Sequence, residues 1–265
     1  MFDASQSWKY AAHRIGVNLV IRKKMVLITG AARRIGAHIA EKMAYIGHDI
    51  FITYKVSEKE ANQLKEYLEE RYKISVKIIK CDITKEEDVI SLAHTIRESE
   101  SSLTHLINNA DSLKRNEFPS SDINVALEII DTTLLGTYRV CNYICPLISG
   151  ENPSIINILD TSVGMAKPDY IAHSIAKAGL MNLTLQLSVK LAPKIRVNSL
   201  VLGFILASST MNEDKIAELS AENLLRRAGG VKEVGRAVQF LAESSFITGQ
   251  NIVIDGGQML YRKQL

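Results

Sequence analysis

The residues in this chain best suited to moving a proton are Asp160, His173 and Lys177. His173 and Lys177 are four positions apart, so a helix would set them on one face, a turn apart. Asp160 closes an apolar run and reads as the end of a strand. An imidazole starts from a pKa of about 6.5, so it can deliver a proton near neutrality without a large shift. The Lys177 ammonium disfavours a charged imidazole, whereas an Asp160 carboxylate favours one. Residue types alone leave open which effect wins. Tyr170, three residues before His173 and near the same helix start, is the second candidate acid.

A second constellation handles phosphate. Thr29-Gly30-Ala31-Ala32-Arg33-Arg34-Ile35-Gly36 follows a short apolar run and opens an amphipathic one. That is the context of a dinucleotide fingerprint. Gly30 permits the tight turn, and Gly36 permits close approach to a helix start whose amides and dipole favour a pyrophosphate. Arg34 points at that pyrophosphate and at an anionic or carbonyl-bearing substrate. An NAD site would carry a carboxylate about 20 residues further on. Here the next apolar run ends Thr53-Tyr54-Lys55-Val56-Ser57, with no acid at its tip. Arg33, Lys55 and Ser57 offer positive charge and a hydroxyl, which suit a 2′-phosphate dianion. The expected cofactor is NADPH rather than NADH.

These groups need a scaffold that brings several strand ends together. Seven short apolar runs read as strands: Met25–Thr29, Asp49–Tyr54, Ser75–Cys81, Leu103–Ile107, Ser154–Leu159, Ile195–Val201 and Asn251–Ile254. Amphipathic stretches alternate with them. Helices are expected over Ile35–Tyr45 with a cap at Gly47, and over Ser57–Tyr72 with a Ser57/Glu60 capping box. Longer ones are expected over Ile123–Ile144, Ile171–Leu191 and Val231–Ala242. Such alternation specifies an α/β, doubly wound Rossmann fold: a seven-stranded parallel sheet with helices on both faces. A polar helix over Asn212–Ser220 interrupts the rhythm before the last strand and is expected to act as a substrate lid. Residues 25–265 are expected to form the single domain, with 1–24 as an N-terminal arm or leader.

Composition narrows the partners. Of 265 residues, 46% are hydrophobic and 23% charged, enough for one sizeable core and an ordinary soluble surface. The net charge of +3 is small and the basic residues are scattered, which argues against nucleic acid. Cys81, Cys141 and Cys145 make no disulfide framework or zinc pattern, so a reducing, cytoplasmic setting without a bound metal is expected. No apolar run reaches the length of about 18 residues expected of a membrane helix. Apolar residues on more than one face of Ile123–Ile144 and Ile171–Leu191 call for a second partner surface.

From Lys24 to about Arg262 the chain resembles the short-chain dehydrogenase/reductase family. Thr29–Gly36 is similar to its TGxxxGxG motif, with Arg34 in place of the middle glycine. Cys81-Asp82, Asn108-Asn109-Ala110 with Asp111 in place of glycine, Val197-Asn198, Gly203, Ile247–Gln250 and Asp255-Gly256-Gly257 follow the family's order and spacing. Within the family the chain looks most like pteridine reductases and dihydromonapterin reductases, which share the basic glycine motif and an aspartate where Asp160 stands. The resemblance implies a reductase that reads adenine through Asp82. It places Asn109, Ala110 and Gly203 along the cofactor and Lys177 on the nicotinamide ribose. It also implies a homotetramer and a small-molecule substrate: a pterin or folate C=N, or a ketone.

Three departures matter. His173 replaces the family tyrosine, Thr133 falls near the position of a relay asparagine, and Leu113 stands where pteridine reductases place an aromatic residue. The first two also fit a catalytically lapsed member that binds NADPH without turnover. A ketone or 3-oxoacyl reductase is the remaining alternative.

Overall fold

The structure, a computed structural model, describes residues 23–119, 122–207 and 211–260. The expected leader, apart from its last two residues, lies outside the described residues. Alternating apolar and amphipathic segments become β1 (Lys24–Ile28), α1 (Arg34–Tyr45), β2 (Asp49–Tyr54), α2 (Glu58–Tyr72), β3 (Val76–Lys80), α3 (Glu86–Arg97) and β4 (Ser102–Asn108). The second half adds α4 (Ile123–Ile130), α5 (Gly136–Ile144), β5 (Ser154–Asp160), α6 (Ile171–Leu191), β6 (Arg196–Leu202), α7 (Glu213–Ala221), α8 (Val231–Glu243) and β7 (Asn251–Ile254). The seven strands form one parallel sheet in the order β3-β2-β1-β4-β5-β6-β7.

Side chains alternate across the sheet because the strand period is two. Val26 and Ile28 therefore enter one core with Ile39, Met43, Val234 and Val238 of α1 and α8. Met25 and Leu27 enter the other, with Leu92, Val140, Ile144 and Ile155. Burial on both faces explains why the inner strands read as largely apolar runs, whereas the edge strands β3 and β7 are partly exposed. The order reverses between β1 and β4, and a parallel sheet opens a crevice at the carboxyl ends of its strands at such a point.

Two local expectations change. The stretch 123–144 is not one α-helix: Asp131–Leu135 is a π turn between α4 and α5. Apolar spacing cannot reveal one inserted residue, since the faces on either side remain apolar. The turn directs Thr133 inward, fully buried. Ser57 makes no side-chain cap bond on α2, so the capping box is absent. Gly47 follows α1 with φ +91°, the left-handed residue that ends a helix. α7, the expected lid helix, begins with Asn212 accepting from the Lys215 amide at 2.9 Å.

Arg34 has φ +55°, the backbone a glycine would hold at this point of the motif. A left-handed L-residue costs roughly 1–2 kcal/mol, partly offset by the greater chain entropy a glycine loses on folding. Arg34→Gly is therefore expected to leave stability unchanged or raise it by up to about 1 kcal/mol. Urea unfolding midpoints of the two proteins check this. A clear loss of stability would show that the arginine side chain, and not the backbone, dominates at this position.

Candidate active site

A cleft of about 460 Å³ opens over the carboxyl ends of β1, β2 and β4. Its rim and floor carry Gly30, Arg33, Arg34, Ile35, Gly36, Lys55, Ser57, Asp82, Asn109, Ala110 and Lys177. All were expected along the cofactor. Gly203 was expected there too, but it lies outside this lining. A Cβ at Gly203 would come within 2.6 Å of Asp255 Cα, so two backbones cross closely at that point.

The turn after β1 is built for backbone approach. Gly30 has φ +61°, and a Cβ at Gly36 would stand 2.7 Å from both Ala31 Cα and Asn109 Nδ2. Asn109 staples the turn by donating from Nδ2 to the carbonyls of Thr29 and Gly30, each at 3.0 Å. The Thr29 hydroxyl accepts from the Asn109 and Ala110 amides at 3.0 and 3.1 Å. The helix start, free of first-turn acids, is left facing the cleft with Arg33 and Arg34 beside it. Lys55 is already engaged: its Nζ lies 2.8 Å from Asp82 Oδ2. Asp82 also accepts from the Thr84 amide and hydroxyl. Burial raises the Asp82 pKa, but these bonds and the Lys55 charge outweigh it and bring the carboxyl below its ordinary value.

At the inner end of the cleft lies the candidate acid site. β5 ends at Asp160, and α6 presents His173 and Lys177 to it. α6 is held in register by a buried chain of amides and hydroxyls. Asn108 Nδ2 donates to Asn157 Oδ1 at 2.8 Å, and Asn157 Nδ2 donates to Thr184 Oγ1 at 2.8 Å. Lys177 Nζ donates to the Ile158 carbonyl at 2.9 Å. His173 Nε2 is 2.6 Å from Asp160 Oδ2, and Nδ1 is 3.1 Å from the Ser112 carbonyl. A carbonyl oxygen only accepts, and so does a carboxylate. Both ring nitrogens thus face acceptors, the environment of a doubly protonated ring.

One member of the site was missed as a site residue. Asp111 places Oδ2 3.1 Å from Lys177 Nζ and Oδ1 3.7 Å from His173 Nδ1. Thr133, from the π turn, donates to Asp111 Oδ1 at 2.8 Å. The available signal was the aspartate standing in the glycine position after Asn109-Ala110. Asp111, Asp160 and His173 bring ligand-capable atoms within 4.8 Å of one another, and Lys177 already stands against them as a cation.

Exposure sorts the four. The side chains of His173 and Lys177 are 2% and 4% exposed, whereas those of Asp111 and Asp160 are 29% and 34% exposed. The carboxylates are the accessible ends and the cations lie behind them. Burial pulls the His173 pKa down and Lys177 adds to that, but the Asp160 hydrogen bond and both carboxylate charges outweigh them and raise it. Burial likewise raises the two acids, yet hydrogen bonds and the facing cations hold Asp160 and Asp111 below the usual carboxylate value. Of the two effects left open by residue types, the carboxylates thus outweigh Lys177 in shifting the His173 pKa. Tyr170 makes no side-chain cap bond at the start of α6. Leu113 is exposed on the cleft rim.

A family model described as enoyl-(acyl carrier protein) reductase matches residues 30–259. The chain belongs to the short-chain dehydrogenase/reductase family. It is 28% identical over 243 residues to 3-oxoacyl-[acyl-carrier-protein] reductase FabG of Staphylococcus epidermidis, covering 89% of this chain and 99% of that protein. It is 24% identical over 239 residues to dihydromonapterin reductase of Klebsiella pneumoniae, covering 89% and 96%. Among solved structures, FolM alternative dihydrofolate reductase 1 from Brucella canis, complexed with NADP, superposes with a TM-score of 0.85 at 26% identity, over 92% of this chain and 97% of that one.

A pH signature follows. The raised His173 pKa contributes stability that is fully present below the unfolded value of about 6.5 and is lost as pH rises through the folded value. The depressed Asp160 and Asp111 contribute stability present above an unfolded pKa of about 3.9, lost as pH falls through their folded values. Wild type is therefore expected to exceed His173→Gln in stability most at pH 5–6.5, with the gap narrowing toward pH 9. Urea unfolding across that range checks it; a gap that widens with pH would contradict the imidazolium.

Proposed function

We propose that this protein is an NADPH-dependent reductase acting on the C=N of a pterin- or folate-type heterocycle, with Asp160 and His173 as its acid pair. The observation that carries the reading is the 2.6 Å contact between His173 Nε2 and Asp160 Oδ2, beside Lys177 at the inner end of the cleft. The residues present fit the cofactor. A glycine turn too tight for a Cβ at position 36 lets a pyrophosphate approach the helix start, and Arg33 and Lys55 supply cations for a 2′-phosphate. NADPH, when bound, supplies the hydride.

The chain's own groups orient the reaction and provide the proton. Lys177, pointed into the cleft from α6, is the donor for the nicotinamide ribose hydroxyls. Asp160, a carboxylate at rest, is the accessible end of the acid pair, so it relays a proton from His173 Nε2 to the substrate nitrogen as hydride reaches carbon. The relay returns Asp160 to a carboxylate and leaves His173 a neutral ring that still donates from Nδ1 to the Ser112 carbonyl. Solvent recharges the pair once product leaves. His173 is a proton reservoir behind Asp160 and not the group that touches substrate, because burial keeps it from the cleft.

A second reading has an observation of its own. Lys177 is already bound by Asp111 and the Ile158 carbonyl, a state that suits cofactor binding without turnover. Likeness to FabG keeps a 3-oxoacyl substrate as a further arm. NADPH oxidation with dihydropterins, dihydrofolate and an acetoacetyl thioester separates the three. The expected result is turnover of a pterin or folate, falling on the alkaline side as His173 loses its proton. His173→Gln is expected to slow it about 10²–10⁴-fold with NADPH binding retained. Turnover of the thioester alone, or none at all, would favour the other readings. Lys55→Ala is expected to weaken NADPH and spare NADH; equal losses would assign Lys55 to Asp82 alone.

We also propose a homo-oligomer. Leu127, Leu135 and Tyr138 are exposed beside Ile175, Leu185 and Val189 of α6, an apolar surface that a second copy would cover. Sedimentation at micromolar concentration is expected to show a dimer or tetramer, and a monomer would reject it.

A further inference from the structure

We infer that Asp111 is a positioning residue of the acid site, binding Lys177 and balancing the second buried cation that a histidine at position 173 introduces. The family pattern has glycine at 111 and tyrosine at 173, and this chain differs at both positions. The structure puts the two differences side by side, with Asp111 Oδ1 3.7 Å from His173 Nδ1.

Charge explains why the two would change together. A tyrosine is neutral near pH 7. With tyrosine at 173, Lys177 and Asp160 would already balance. A doubly protonated histidine makes the count two cations against one carboxylate, in a place where the cations are 2% and 4% exposed. An uncompensated charge at that depth is costly. Asp111 restores neutrality, and it does so at the far ring nitrogen from Asp160, so the imidazole is bracketed. The charged groups facing His173 come from three elements: Asp160 from the end of β5, Asp111 from the loop after β4, and Lys177 from α6 itself. Asp111 is in turn held by the Thr133 hydroxyl and the Ser112 amide.

A carboxylate that merely fastens its own loop would keep its bonds to Ser112 and Thr133 and have no effect on His173. The titration of His173 distinguishes the two roles. Imidazole resonances of the full-length protein are followed by NMR against pH, with His173 assigned by its absence in His173→Gln. In Asp111→Asn and Asp111→Gly the His173 midpoint is expected to fall by about one pH unit or more, the range for losing an opposite charge at this distance. An unmoved midpoint in both variants overturns the inference.

A stability cycle guards against a variant that folds poorly. Asp111→Gly is introduced into the wild type and into His173→Tyr, and all four proteins are unfolded in urea at pH 6. The loss is expected to be larger in the histidine background; equal losses overturn the pairing. The inference rests on the acid-pair reading of the site, yet neither readout requires turnover. An inert wild type would count against the reductase function and leave Asp111 to be decided by the titration and the cycle.

Discussion

Two buried cations set the terms for the rest of this molecule. His173 and Lys177 lie one helical turn apart with almost no exposure, and such a pair is stable only if anions meet it within hydrogen-bonding range. The anions come from elsewhere in the chain. Asp160 is the last residue of a strand, and Asp111 follows another. Only a parallel sheet in which β4 and β5 are neighbours, with α6 laid across their carboxyl ends, brings the four together. The acid site is thus a product of topology as much as of residue type.

The supports around it are polar and buried, which makes them exacting. Asn108, Asn157 and Thr184 run from β4 through β5 into α6 as a continuous line of hydrogen bonds. Removing one partner leaves another unsatisfied in a place water does not reach. The π turn plays a matching role on the other side, because a regular helix would carry Thr133 to a different azimuth and release Asp111. π turns inside α-helices are found frequently at functional sites, and here the consequence is a single hydroxyl aimed at a carboxylate.

Much of the architecture was legible in the sequence. The five inner strands were readable because a doubly covered sheet leaves little polar face to confuse the pattern, and the half-exposed edge strands β3 and β7 were readable from their isoleucines and valines. α6 was readable to its ends, and the glycine turn was readable because backbone geometry demands it. Three things were not. The π turn leaves the apolar periodicity almost unchanged. The Lys55–Asp82 bridge joins residues 27 apart whose meeting depends on how two strand ends sit side by side. The order of exposure, with Asp160 outside and His173 inside, was hidden because no pattern of residue types encodes depth. Asp111 was visible as an oddity in a motif, but its partners were not.

The Lys55–Asp82 bridge gives any anion at the Lys55 end of the cleft a built-in rival. A tethered group competes at an effective concentration in the millimolar range or above, without ever diffusing away. Any phosphate that reaches Lys55 must therefore exchange one ion pair for another, and the net gain is the difference between the two. Recognition at that point becomes a contest of geometry rather than of charge: a planar or monodentate anion gains little over Asp82, and a group offering several oxygens at once gains more. The same tether keeps the lysine oriented between ligands, so the pocket is held in readiness by the carboxylate that opposes its filling.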